Sequence, residues 1–159
     1  MDAKSNSSQS PSELKLRIVR VFAAPRALVF DAWTKPEPLK RWSSPNGFTM
    51  PVSQGDLRPG GKWRACMVSP NGDELWLGGE YLEVIPNERL VFTHVWDEDG
   101  GETGPVTTVT VQFADHPKGT EIIFEQTGFG SPESRDGHDG GWSECFARLT
   151  DLLAEIGGR

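Results

Sequence analysis

Cysteine is scarce in this chain of 159 residues, which carries only Cys66 and Cys145. Two thiols so far apart make no disulfide framework and predict reduced, buried side chains in a cytoplasmic protein. Long apolar runs are missing too. No stretch approaches the roughly 18–20 residues of a membrane-spanning helix, and Met1–Ser12 has no apolar segment of the signal-peptide kind. The three histidines, His94, His116 and His138, have no metal-cluster spacing. Positive charge is in deficit, with 16 basic against 23 acidic residues and a net charge of −7. That field repels phosphate backbones and argues against a nucleic-acid partner, despite the local trio Arg58, Lys62 and Arg64. The chain also lacks a G-x-S-x-G elbow, H-E-x-x-H, a C-x-x-C pair, a Walker loop and a G-x-G-x-x-G after a strand. No metal or cofactor is expected.

What is present reads as one globular domain. Hydrophobic residues make up 36% and charged residues 25%, ordinary for a folded protein. Residues 1–12 are polar and serine-rich and read as a disordered tail, which leaves 13–159 as the domain. Leu14–Phe22 alternates as a strand. A helix then opens at Ala24-Pro25, with Leu28, Val29, Ala32 and Trp33 on its apolar face and Pro36 as its stop. Pro38 can open a second short helix carrying Leu39 and Trp42.

Six strands follow, near 48–57, 61–68, 74–85, 88–97, 105–115 and 119–128. Their links are short, so successive strands are expected to pair antiparallel. Two Ser-Pro-Asn-Gly turns, at 44–47 and 69–72, punctuate them. Gly78-Gly79 is a candidate bulge. The glycine-loaded segment Gly128–Gly141 reads as a mobile loop able to gate entry. It precedes an amphipathic helix from Trp142 to Ile156.

Alternation and helical period bring several side chains to one interior. Phe92, His94 and Trp96 share a strand face, as do Val109, Val111 and Phe113, and Ile122, Phe124 and Gln126. Trp63, Ala65 and Met67 form a fourth set. Trp142, Cys145, Phe146 and Leu149 lie on the helix stripe facing them. Six tryptophans and eight phenylalanines can edge an internal cavity, because bulky flat side chains leave gaps for small apolar ligands. The candidate lining is therefore Trp63, Met67, Phe92, His94, Trp96, Val111, Phe113, Phe124, Gln126, Trp142, Cys145, Phe146 and Leu149. His94 and Gln126 are its polar members. Arg20 interrupts an apolar strand face, and Glu80, Glu83 and Glu125 are strand carboxylates available for acid–base work. No catalytic residue stands out.

Several pieces occur in a telling order: Arg20-Val-Phe-Ala-Ala-Pro25, Val29-Phe-Asp-Ala-Trp33, Arg41-Trp42, Leu57-Arg-Pro-Gly-Gly61, Glu88-Arg-Leu-Val91, Gly119-Thr120 and Gly141-Trp142. Together they resemble the SRPBCC (START/birch-pollen-allergen-like) superfamily, in the branch similar to the C-terminal domain of the activator of heat-shock protein 90 ATPase. The resemblance spans residues 14–156. It implies an α+β helix-grip fold: a curved antiparallel β-sheet around a long C-terminal helix, with two short helices after the first strand and a cavity inside. Members often place a second tryptophan after the Arg-Trp pair, whereas Ser43-Ser44 follows here.

Three functions compete. The leading expectation is non-enzymatic binding of a small hydrophobic or amphipathic molecule in an internal cavity. The resemblance also admits a chaperone-associated interaction module and an enzyme resembling the polyketide cyclases and dehydratases. No feature specifies an oligomer interface, and a homodimer stays open.

Overall fold

The computed structural model describes residues 14–98, 101–102 and 106–157. The expected N-terminal tail therefore lies outside the described residues. Strand β1 (Leu16–Phe22) leads into helices α1 (Arg26–Thr34) and α2 (Pro36–Trp42). The strands β2 (Thr49–Gly55), β3 (Lys62–Val68), β4 (Glu74–Ile85) and β5 (Arg89–Glu98) follow. A two-residue β6 (Gly101–Glu102) folds back on β5, and β7 (Thr107–His116), β8 (Gly119–Thr127) and helix α3 (Pro132–Gly157) complete the chain.

The helix starts differ from the sequence expectation by a residue or two. Pro25 sits at the N-cap of α1 with ψ 156°, and Arg26 is the first helical residue. Pro36 does not merely end α1; it opens α2, after a single extended residue, Lys35. The proline that follows keeps Lys35 out of the helical region, so two helices form where one continuous helix would otherwise run.

The sheet order is β1-β8-β7-β5-β4-β3-β2, antiparallel throughout. Sequence neighbours pair from β2 to β5, as short links require. Strand β1 departs from that rule by pairing with β8, because α1 and α2 carry the chain to the opposite edge. In the turn between β3 and β4, Gly72 holds φ +91°, the conformation that Asn-Gly supplies cheaply. The register shift of β4 falls between Tyr81 and Glu83, not at Gly78-Gly79. Leu75, Leu77 and Tyr81 therefore share the inner face, and beyond the shift Val84 takes over, packed against the core. Gly79 serves another purpose. A Cβ there would come within 2.0 Å of the Thr93 carbonyl oxygen, so only glycine permits this approach of β4 to β5.

Helix α3 covers the concave face. It starts ten residues before Trp142, so the segment read as a loop is helix from Pro132 onward. Ser131 caps it, its hydroxyl accepting the Ser134 N–H at 3.1 Å, with Pro132 and Glu133 opening the first turn. That start signal stood in the sequence and outweighs three glycines that cost about 1 kcal/mol each. Under the C-terminal part of α3, Cys145, Phe146, Leu149, Leu152 and Leu153 are buried against β1, β7, β8 and α1. Trp33 of α1 packs among Trp42, Phe124, Trp142 and Phe146, with ring centroids 4.8 to 6.1 Å apart.

Candidate functional site

The inner face of β2 to β5 is not filled in this way. Beneath the N-terminal half of α3 lies a cavity of about 420 Å³. The floor is built from alternate residues, Trp63, Ala65 and Met67 on β3, Leu75, Leu77 and Tyr81 on β4, and Phe92, His94 and Trp96 on β5, together with Met50 and Ser53 on β2, where a register shift between Thr49 and Val52 breaks the alternation. Its roof follows the period of α3, through Ser134, Gly137, His138, Gly141, Trp142 and Cys145. Trp33, Leu39, Trp42, Ser43, Pro45 and Phe48 close one end. Ser43 is among these residues, and its small side chain leaves volume at that end. The mouth lies where Gly137 and Leu75, both exposed, border the cavity.

The space exists because the roof is small. Gly137 and Gly141 present no side chain, and a Cβ at Gly137 would meet nothing within 4 Å. One turn further along, Phe146 and Leu149 do the opposite and plug the interior.

Seven of the thirteen residues expected to line a site border this cavity: Trp63, Met67, Phe92, His94, Trp96, Trp142 and Cys145. The other six do not. Val111, Phe113, Phe124, Gln126, Phe146 and Leu149 are at most 4% exposed and belong to the packed half. Alternation placed them on the correct face of the sheet. It could not show that bulky residues of α3 and α1 already occupy that end. Phe113 meets Phe30 at 5.3 Å and Phe124 meets Phe146 at 5.4 Å, leaving no room between them.

Gln126 has a structural task. Its carbonyl oxygen accepts the Trp142 indole N–H at 2.8 Å, and its amide donates to the Thr107 hydroxyl at 2.8 Å. That hydroxyl donates in turn to the His94 carbonyl at 3.0 Å. This buried chain ties α3 to β8, β7 and β5, fixing Trp142 and the backbone of His94. His138 falls in the segment whose glycines predict a loop, so sequence reasoning misses it. Its spacing from Ser134, Gly141, Trp142 and Cys145 is helical, and that was the available signal. The Trp96 indole donates to His138 Nε2 at 3.1 Å, so Nδ1 carries the proton and donates to the Ser134 carbonyl at 2.7 Å.

The wall is electrically quiet. None of its described residues is Asp, Glu, Lys or Arg. Burial, reinforced by the nearby His138, pulls the His94 imidazole down to about 3, so it stays neutral. Burial pushes Cys145 and Tyr81 up to about 12, keeping a thiol and a phenol rather than their anions. The indole N–H groups of Trp42, Trp63, Trp96 and Trp142 are all bonded within the protein. No side chain among the described residues bonds to the His94 ring, although the residue is only 5% exposed. The strand carboxylates lie elsewhere, Glu80 paired with Lys62, Glu83 with Arg89, and Glu125 with Arg17. Arg20 lies with its guanidinium 5.6 Å from the centroid of the Phe146 ring, away from the cavity. Both cysteines are free; Cys66 is buried on the opposite face of β3 from the cavity. No group of three or more His, Cys, Asp or Glu among the described residues is placed to hold a metal ion. No helix among them is long and apolar enough to cross a membrane.

Comparison with known proteins agrees with this architecture. The family profile described as Activator of Hsp90 ATPase homolog 1-like protein matches residues 23–154. The chain belongs to this family. Among solved structures it is similar to protein NE0264 from Nitrosomonas europaea, at 28% identity and a TM-score of 0.79, covering 93% of this chain and 99% of that one. It is similar also to the AHSA1 protein from Silicibacter pomeroyi, at 29% identity and a TM-score of 0.78, covering 89% and 99%. Protein CV1439 from Chromobacterium violaceum gives 29% identity and a TM-score of 0.78, covering 87% and 96%. No curated protein matches the chain. The helix-grip fold expected of the SRPBCC superfamily is the fold observed.

Proposed function

We propose that this protein binds a small, largely apolar molecule in the cavity between the N-terminal half of α3 and strands β2 to β5. The observation that carries the reading is the cavity itself: about 420 Å³, walled largely by aromatic, aliphatic and thioether side chains, with the His94 imidazole at its border. Such a volume falls in the range of about 300–1,000 Å³ typical of small-molecule sites. Burying apolar ligand surface there gains about 25 cal/mol per Å² with little reorganisation, because hydrogen bonds already hold four of the bordering indoles. Binding without catalysis fits the wall chemistry. No carboxylate among the described residues borders the cavity, the thiol stays protonated, and His94 is a weak base.

Titration with a hydrophobic fluorescent probe tests this directly. Saturation is expected near one probe per chain. Gly137→Leu, which places a side chain at the mouth, is expected to weaken binding at least about tenfold without lowering the melting temperature. If a folded protein takes up no probe, or if Gly137→Leu binds it unchanged, the cavity is not the site. A surface-interaction role would then lead.

A further inference from the structure

The distribution of polarity in the cavity narrows the class of ligand, an inference that rests on the binding role proposed above. A charged ligand would enter a space whose described bordering residues include no ionic side chain. Among the described residues His138 is the titratable neighbour that perturbs His94, and both its ring nitrogens are already bonded. A carboxylate would thus lose its water and gain no counter-ion, a loss that one neutral hydrogen bond does not offset.

Among the described bordering residues, the Trp33 indole N–H is sealed away and unpaired, and the His94 imidazole has no side-chain partner. The His94 ring is buried and lies among those of Trp63 at 5.9 Å, Trp96 at 5.4 Å and Trp142 at 6.4 Å. The ring's backbone contact is with His94 itself, and neither ring nitrogen is among the sealed, unpaired polar atoms, so the imidazole keeps hydrogen-bonding capacity toward the cavity it borders. A hydroxyl suits it better than a carbonyl, because a hydroxyl can donate to the bare nitrogen or accept from the protonated one. The surrounding indoles favour flat ring systems, which stack or meet edge-on. Beyond them Met50 and Met67 supply flexible thioethers that adapt to whatever apolar portion extends there.

We propose that the ligand is an uncharged, flat ring compound bearing a single hydroxyl group, and that this hydroxyl bonds to His94. Three probes of one skeleton test it: naphthalene, 2-naphthol and 2-naphthoate, measured at neutral pH by calorimetry and tryptophan quenching. Naphthol is expected to bind at least about tenfold more tightly than naphthoate and about fivefold more tightly than naphthalene. In His94→Phe the ratio of naphthol to naphthalene affinity should fall to about one. His94→Gln, which keeps a hydrogen-bonding head, should retain part of the preference and guards against a misfolded phenylalanine variant. Naphthoate binding as tightly as naphthol, or a naphthol preference that survives His94→Phe, overturns the assignment while leaving the cavity as the site. If none of the three binds, the cavity reading falls with it.

Discussion

Along its 26 residues α3 covers two different interiors. Its C-terminal half lies over β1, β8 and β7, where Phe146, Leu149, Leu152 and Leu153 are at most 4% exposed and the Phe146 ring meets rings from α1, α2 and β8. Its N-terminal half lies over β2 to β5, where Ser134, Gly137 and Gly141 leave gaps beside His138 and Trp142 and the space stays open. One helix and one sheet thus serve as core and as container, and the choice is made by side-chain size at helical spacing. The packed end holds the scaffold rigid; the hollow end is then free to be underfilled. Aromatic residues occur at both ends, so aromatic content alone does not mark the site.

The largest expected effect tests whether the two ends differ energetically. Phe146→Ala removes a ring that touches Phe22, Trp33, Trp42, Phe124 and Trp142, and is expected to cost about 3–5 kcal/mol in urea unfolding. Met67→Ala, at the cavity wall, only enlarges an existing void and should cost about 1–2 kcal/mol. Equal losses would erase the distinction.

A smaller effect concerns acid. His94 is held near 3 in the folded protein, against about 6.5 in an unfolded chain. Between those values the unfolded state binds the extra proton, so stability rises with pH across the window. Its contribution is complete above about pH 6.5 and is lost as pH falls toward 3. The shift sets a ceiling of nearly 5 kcal/mol. Comparing the parent with His94→Gln by denaturant unfolding at several pH values should show the parent alone losing about 2–4 kcal/mol over this window. Parallel profiles would mean that His94 is not held neutral by burial.

These experiments divide the molecule as its sequence already did in part. Strand positions, the inner faces and the apolar helix stripe were legible because alternation and a 3.6-residue period are local patterns. The Trp63, Phe92, His94, Trp96 and Trp142 wall came from those patterns alone. Two things were hidden. The glycines at 137, 140 and 141 suggested a loop, although Ser131-Pro132-Glu133 opens a helix that tertiary packing sustains through them. The boundary between filled and hollow interior was invisible as well, since Phe124 and Phe92 have the same pattern. Which of them borders a void depends on what α3 sets opposite, Phe146 in one case and the glycine-bearing turns in the other.

The smallest predicted effect is the most specific test of that last point. Gly137 and Gly140 lie on the same exposed stretch of α3, and an added Cβ meets nothing within 4 Å at either. Each alanine should therefore stabilise the helix by about 0.5–1 kcal/mol. Their positions relative to the cavity differ: Gly137 borders it and Gly140 does not. If glycine at 137 is kept to hold the mouth open, Gly137→Ala gains stability and weakens probe binding by about twofold to threefold, and bulkier residues there weaken it further. Gly140→Ala gains the same stability and leaves binding unchanged. Melting temperature and probe titration on the two variants separate these outcomes. Equal effects on binding would mean that helix rigidity, not the volume beneath residue 137, governs entry. The hollow end would then be a by-product of poor helix formers rather than of small side chains placed on the inward stripe.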